Sequence, residues 1–319
     1  MVYRWVCPTC SCAIWSPRES TLTSECTSHL LRHFDDAISQ TVFRTEWSCP
    51  VCDETGSRIE ENEAIDSFRN HLISHEQQRM APNVDLTEDI GTDHNVLLFT
   101  PDGHRGTNLA RSNLLVPADT VISVTKNVNS WIGLLEQQHR DTPSKVVLLV
   151  PSENTSVPSS RPKGFDGQLK VIPMGPDLSV GDIGKRLSKL VDRYGGDDIE
   201  LACEFDELST ILDATDIDGT FKFIHLLNGV FDRANARALV PFNPSQIPNP
   251  SVALLANLFD FVLIGGEDSL KQHVIPDRQH RSDGDGDDNQ SVRNEQTYSE
   301  LSSSNQRVVP TMPSKYRSY

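Results

Sequence analysis

Residues 199–205 read Ile-Glu-Leu-Ala-Cys-Glu-Phe, and the chain continues through residues 204–212 as EFDELSTIL. A short apolar run that passes directly into a helix-like pattern predicts a buried strand feeding a helix. Similar runs lie on both sides: residues 96–100 (VLLFT), 121–125 (VISVT), 146–150 (VVLLV), 169–173 (LKVIP), 238–242 and 259–264 (FDFVLI). Continuous apolar runs suit strands covered on both faces of a sheet. Helical patterns separate them. Ser179 is placed to cap a helix bearing Ile183, Leu187, Leu190, Val191 and Tyr194 on one face, stopped by Gly195 and Gly196. Residues 216–236 carry Phe221, Ile224, Leu227, Val230 and Phe231, and residues 129–138 and 252–258 are shorter candidates. Strands alternating with helices predict an α/β domain over residues 94–268, with a mainly parallel sheet flanked by helices.

The N-terminal segment follows a different rule. Cys7, Cys10, His29 and His33 form C-x2-C-x18-H-x3-H, and Cys49, Cys52, His71 and His75 repeat it with an offset of 42 residues. The same offset brings Trp5 onto Trp47, Pro8 onto Pro50, Leu30 onto Leu72 and Cys26 onto Phe68. Two cysteines two residues apart bring two thiolates to one ion, and histidines four apart share one helix face. Four such ligands suit tetrahedral Zn²⁺, so two zinc ions per chain are expected, at residues 1–44 and 45–80. All four positions in each set belong to protein side chains, which describes a closed structural site and not a catalytic one. Units this small bury little core, so the metal is expected to supply most of their folding free energy. Cys12 and Cys26 have no cysteine counterparts and read as small buried thiols; a less favoured alternative puts Cys26 in the first site in place of a histidine.

This segment resembles the two-cysteine, two-histidine zinc-finger family. It departs from that family in its 18-residue gap and in the long connection over residues 34–46. DNA reading is disfavoured by charge, because residues 1–80 hold seven Arg, no Lys and twelve Asp plus Glu. Readers of the major groove rely on helix-borne Arg or Lys. Protein interaction is the expected use of the pair.

The whole chain is acidic, with a formal net charge of −16 over 319 residues and 28 Asp among its 45 acidic residues. Such a charge favours solubility and opposes non-specific attraction to nucleic acid. No apolar run is long enough to span a bilayer, and the start leads straight to Cys7, so a cytoplasmic location is expected. Asp-rich, Lys-poor usage also resembles the proteins of salt-loving archaea.

Residues 94–266 are similar to the RecA/KaiC-like domain of haloarchaeal proteins of unassigned function, sometimes labelled transducer-like. The resemblance is carried by NVLLFTP (95–101), EFDELSTIL (204–212), FKFIHLLNGVF (221–231) and LFDFVLIG (258–265). In active members of that superfamily the first strand enters G-x-x-x-x-G-K-[ST], which cradles phosphates and holds Mg²⁺. Here Pro101 to Asn108 retain only Gly106 of that pattern, with Thr107 at the Lys position and Asn108 at the hydroxyl position. Asp206 sits where the resemblance places an Mg²⁺-associated Asp, although a helix cap explains it equally well. The domain is therefore expected to be degenerate, neither an enzyme nor a nucleotide-dependent one.

His225 reads as a packed core histidine and Cys203 as an inert buried thiol, while His94, His104 and His139 have no evident catalytic partner. Residues 81–93 read as a linker and residues 269–319 as a disordered polar tail, whose acidic run at 283–288 lacks the twelfth-position Glu of a calcium loop. The expectation is a zinc-binding regulatory or adaptor protein. A DNA-binding regulator is the alternative, and a nucleotide-binding protein or weak ATPase the second alternative.

Overall fold

The computed structural model describes residues 2–91, 94–100, 106–138, 142–151, 162–175, 179–196 and 198–273. The N-terminal region is a duplicated unit. Its first copy contains β1 (Val2–Val6), β2 (Ala13–Ser16), α1 (Glu19–His33) and, after a 3-10 turn, β3 (Ile38–Gln40). The second contains β4 (Thr45–Ser48), β5 (Thr55–Arg58), α2 (Glu61–Glu76) and, after its own 3-10 turn, β6 (Ala81–Val84). The third strand of each copy pairs with the other copy: β3 lies antiparallel to β4, and β6 antiparallel to β1. The copies are therefore not independent beads. Trp5, Leu22, Cys26 and Leu30 of the first share one core with Trp47, Ala64, Phe68 and Leu72 of the second.

Residues 81–93, read from composition as a linker, contain β6 and the helix α3 (Leu86–Ile90), capped by Asp85. Leu86 and Ile90 are buried there, and two apolar side chains four residues apart, just after a Pro-containing strand, are too sparse a pattern to announce a helix.

The α/β domain follows as β7 (Asn95–Phe99), α4 (Thr107–Ala110) continuing into a π-helical turn at Arg111–Leu115, β8 (Thr120–Val124), α5 (Val128–Gln137), β9 (Lys145–Val150) and β10 (Gln168–Pro173). Then come α6 (Val180–Tyr194), β11 (Leu201–Phe205), α7 (Leu208–Ala214), α8 (Ile217–Arg233), β12 (Arg237–Phe242), α9 (Asn249–Ala256), β13 (Phe261–Gly265) and β14 (Leu270–His273). Ser179 caps α6 through the Asp182 N–H, as the sequence signal requires, and Asp216 caps α8 through the Gly219 N–H.

The sheet runs β10-β9-β8-β11-β12-β7-β13-β14-β2-β1-β6. From β10 to β13 all pairings are parallel, and β14 turns back antiparallel on β13. Alternation along each strand sorts side chains to two faces. Leu97, Phe99, Ile122, Cys203 and Val240 pack under α6, α7, α8 and α9. Val96, Leu98, Val121, Ala202 and Leu239 pack under α3, α4 and α5. Chain connections that move in opposite directions along the sheet lie on opposite faces, as right-handed crossovers demand.

β14 lies in the segment read as tail. Leu270 is fully buried, and the strand pairs antiparallel with β2, so the first repeat is joined to the α/β sheet without a break. The remainder of that segment, residues 274–319, including the acidic run, lies outside the described residues. No described helix is long and apolar enough to cross a membrane.

Candidate metal centres

Both Cys/His sets are assembled as the spacing predicts. Within each set, Cys7, Cys10, His29, His33 and Cys49, Cys52, His71, His75, one donor atom per residue can be chosen so that all four lie within 4.8 Å of one another. A tight turn after β1 presents Cys7 and Cys10: the Ser11 N–H donates to the Cys7 carbonyl at 2.9 Å, with Ser11 in the left-handed region at φ 60°. The second set repeats this turn, Asp53 N–H to Cys49 carbonyl at 2.9 Å with Asp53 at φ 58°.

The histidines enter from α1 and α2, one turn apart, each pointing Nε2 inward. His29 and His33 Nε2 are 3.1 Å apart, as are His71 and His75 Nε2. Cys10 Sγ lies 3.2 Å from His29 Nε2, Cys52 Sγ 3.2 Å from His71 Nε2, and Cys49 Sγ 3.6 Å from His75 Nε2. A tetrahedron with metal–sulfur bonds of about 2.3 Å and metal–nitrogen bonds of about 2.0 Å has edges close to these lengths. Two thiols and two imidazoles at this separation fit a metal ion.

Burial pushes His29 down to about 4, with His33 and Arg32 adding to the effect, so its ring is neutral near neutral pH and its lone pair is free to bind. Burial likewise raises the Cys10 thiol, so loading a metal there releases a proton. His71 Nδ1 faces Glu54 Oε2 at 3.4 Å, a carboxylate that orients the ring from behind. The repeated tryptophans pack on the ligands: Trp5 stands edge-on to His29 at 5.7 Å, and Trp47 lies 5.1 Å from His71. Cys12 and Cys26 are buried thiols outside both sets, and burial raises Cys12 to about 12. Cys26 therefore does not replace a histidine in the first set.

A second polar centre lies where β8 and β11 end. These neighbours send their following helices to opposite faces of the sheet, α5 to one and α7 to the other, and such a crevice is the usual ligand site of an open α/β sheet. Here it is filled from within. Arg111, in the π-helical turn, donates through Nε to Glu204 Oε1 at 2.6 Å and through Nη2 to Asp206 Oδ2 at 2.8 Å. Glu204 Oε2 also accepts from Ser123 Oγ at 2.5 Å and Trp131 Nε1 at 2.9 Å. Arg111 Nη1 reaches Ser130 Oγ at 3.0 Å, and Thr125 Oγ1 donates to Asp206 at 3.2 Å. Burial and then Glu204 push Asp206 up to about 7, against the pull of Arg111.

Asp206 is thus no helix cap: α7 begins after Glu207 with no side-chain cap bond. Arg111, Glu204, Ser123 and Trp131 were not singled out in the sequence. Glu204 was the available signal, since a charge inside a strand covered on both faces demands a partner. Gly106 opens α4 at φ 78°, and a β-carbon there would stand 2.6 Å from Gly265 Cα. Residues 101–105 of the altered loop, with His104 and His139, lie outside the described residues. Cys203 is buried as expected, whereas His225 is exposed, because the core stripe of α8 runs through Thr220, Ile224, Leu227 and Phe231.

A family model covers residues 93–264. The chain belongs to a family of unknown function (DUF7504). Comparison with curated proteins gives no match. Among solved structures, a Pyrococcus horikoshii protein described as a structural study of project PH0250 is 12% identical, with a TM-score of 0.37, covering 55% of this chain and 83% of its own. The flagellar accessory protein FlaH from Methanocaldococcus jannaschii is 13% identical, with a TM-score of 0.36 over 59% of this chain and 82% of its own. EssC (ATPases 2 and 3) from Geobacillus thermodenitrificans is 10% identical, with a TM-score of 0.27 over 87% of this chain and 53% of its own. These likenesses are distant; the mixed α/β architecture is read from the strand order and the two helical layers of this chain itself.

Proposed function

We propose that this chain is a zinc-binding regulatory or adaptor protein whose α/β domain works through protein interaction and not through chemistry. The observation that carries the reading is Arg111. Its guanidinium lies at the carboxyl ends of β8 and β11 and pairs with both carboxylates there, Glu204 and Asp206. Carboxylates already paired with the protein's own cation support a non-catalytic reading, since a metal would have to displace Arg111 to reach them. The two Cys/His sets support the same reading, because four protein donors per ion complete a tetrahedral shell and leave no open position for a substrate. Zinc is the ion that two thiolates and two imidazoles in this arrangement favour.

The test uses the full chain purified from its native host. Metal analysis is expected to give two zinc ions per chain. Titration with Mg²⁺ and ATP is expected to give neither binding heat nor phosphate release, and cross-linking in cells is expected to recover a protein partner. ATP hydrolysis that is lost in Asp206→Ala would overturn the non-catalytic reading. Retention of duplex DNA, weakened by Arg32→Ala or Arg69→Ala and steeply salt-dependent, would replace it with DNA binding.

A further inference from the structure

We propose that the open edge of β5 takes up an extended, positively charged segment of a partner polypeptide as a fourth strand. The proposal rests on the adaptor reading and names where the partner docks. Its basis is the duplication. Around the first repeat the strands run β6-β1-β2-β14, whereas around the second, among the described residues, they run β3-β4-β5 and stop. The offset of 42 residues carries β2 onto β5, residue for residue, and β3 and β6 are the matching exchanged strands. The position equivalent to β14 is therefore empty of any described strand in the second repeat.

The two edges differ accordingly. Ala13–Ser16 are buried throughout beneath β14, with Leu270 across from Trp15 and Lys271 across from Ile14. Thr55 and Arg58 are exposed, and Gly56 and Ser57 half-buried. Arg58 Nη1 folds back on the Ser57 carbonyl at 2.8 Å, a contact an incoming strand would have to displace; unpaired N–H and C=O groups on an exposed edge are a template for strand addition.

Charge selects the occupant. In the first repeat Arg18, the residue before α1, pairs with Asp268 just ahead of β14, and Ser16 Oγ donates to the Asp268 carbonyl at 2.8 Å. The residue before α2 is Glu60, followed by Glu61 and Glu63, all exposed, and these three carboxylates outnumber the one cation of β5, Arg58. The charge at the repeated position is reversed, so the incoming residue in the place of Asp268 must be cationic. The same reversal repels β14 of a second copy, which brings Asp268 itself. At this end of the layer, where Thr45 pairs with both Gln40 and Arg58, Ile59 is 82% exposed, Phe43 84% and Val42 90%. These side chains offer an apolar shelf beside the acidic one, so the segment that fits is cationic with an adjoining apolar residue.

The experiment measures fluorescence anisotropy of labelled peptides on the metal-loaded full chain. Two peptides have the sequence of residues 264–273, one unaltered and one with Asp268→Lys. The Asp268→Lys peptide is expected to bind at least tenfold more tightly, and Glu60→Lys in the protein to remove that advantage. Methylating alternate backbone nitrogens of the peptide, in one of the two possible registers, is expected to abolish binding. Equal affinity of the two peptides, insensitivity to Glu60→Lys, or retained binding by both methylated forms would overturn the proposal. The adaptor reading is judged separately by the cellular cross-links. Partners attached only at other surfaces would remove the β5 site and leave the adaptor role, whereas a chain that cross-links to no protein would remove the role itself.

Discussion

Arg111 Nε donates to Glu204 Oε1 at 2.6 Å, with both side chains sealed from water. The pair joins the helical segment after β7 to the carboxyl end of β11 and sets one positive charge against two carboxylates. Removing that charge leaves Glu204 and Asp206 buried side by side. Arg111→Met is expected to cost about 3–5 kcal/mol, the usual penalty for breaking a buried pair. Urea denaturation of the variant and the parent measures it, and a loss below about 1 kcal/mol would show that the carboxylates find another partner or a proton without strain.

The same cluster gives a pH dependence. Asp206 titrates near 3.9 in an unfolded chain and at about 7 in the folded one. The folded state therefore holds its proton more tightly. This contribution to stability is fully present below about pH 4 and is lost as pH rises through about 7. Between about pH 4 and 7 the parent protein is expected to lose stability relative to Asp206→Asn, with the difference levelling off above about pH 8. Parallel denaturation curves at several pH values test this, and parallel pH profiles for the two proteins would contradict it.

The metal sets are expected to be coupled through the exchanged strands. Because β3 pairs with β4 and β6 with β1, loss of either ion disturbs the strand support of both repeats. Cys7→Ser is expected to release its own ion and to speed chelator removal of the second by tenfold or more. Absorbance of a metal-indicator dye during chelation follows both ions, and an unchanged rate for the second would show that the repeats load independently.

Trp5 Nε1 donates to Glu76 Oε2 at 2.9 Å across the two repeats, in a buried setting. Trp5→Phe keeps most of the ring and removes the donor. The expected loss is about 1–3 kcal/mol, because a charged acceptor is left short of a partner away from water. Trp5→Phe with Glu76→Gln should recover part of it, since the carboxylate left with only the longer Arg79 contact at 3.6 Å is then gone.

Gly106 is expected to tolerate no side chain. At φ 78°, with Gly265 Cα 2.6 Å from a built β-carbon, Gly106→Ala combines backbone strain with a clash against backbone. A loss of about 1–3 kcal/mol in thermal or urea unfolding is the expected reading; a neutral result would mean that residues 265–266 shift freely.

Features that repeat at short range were legible from the residues alone. Metal ligands two and four residues apart are set by one turn and one helix face, so Cys7, Cys10, His29 and His33 were legible together with their second copy. Apolar runs such as 146–150 and the capped helix after Ser179 were legible for the same reason, since periodicity within one element states which of its faces is buried. Which elements share an edge emerges from the folded arrangement and from nothing local. β14 pairs with β2 over 250 residues away, β3 and β6 change places between repeats, and Arg111 meets Glu204 across 93 residues. No local pattern carries that information, because the free energy of such contacts depends on closing long loops and matching registers between segments that each look complete alone.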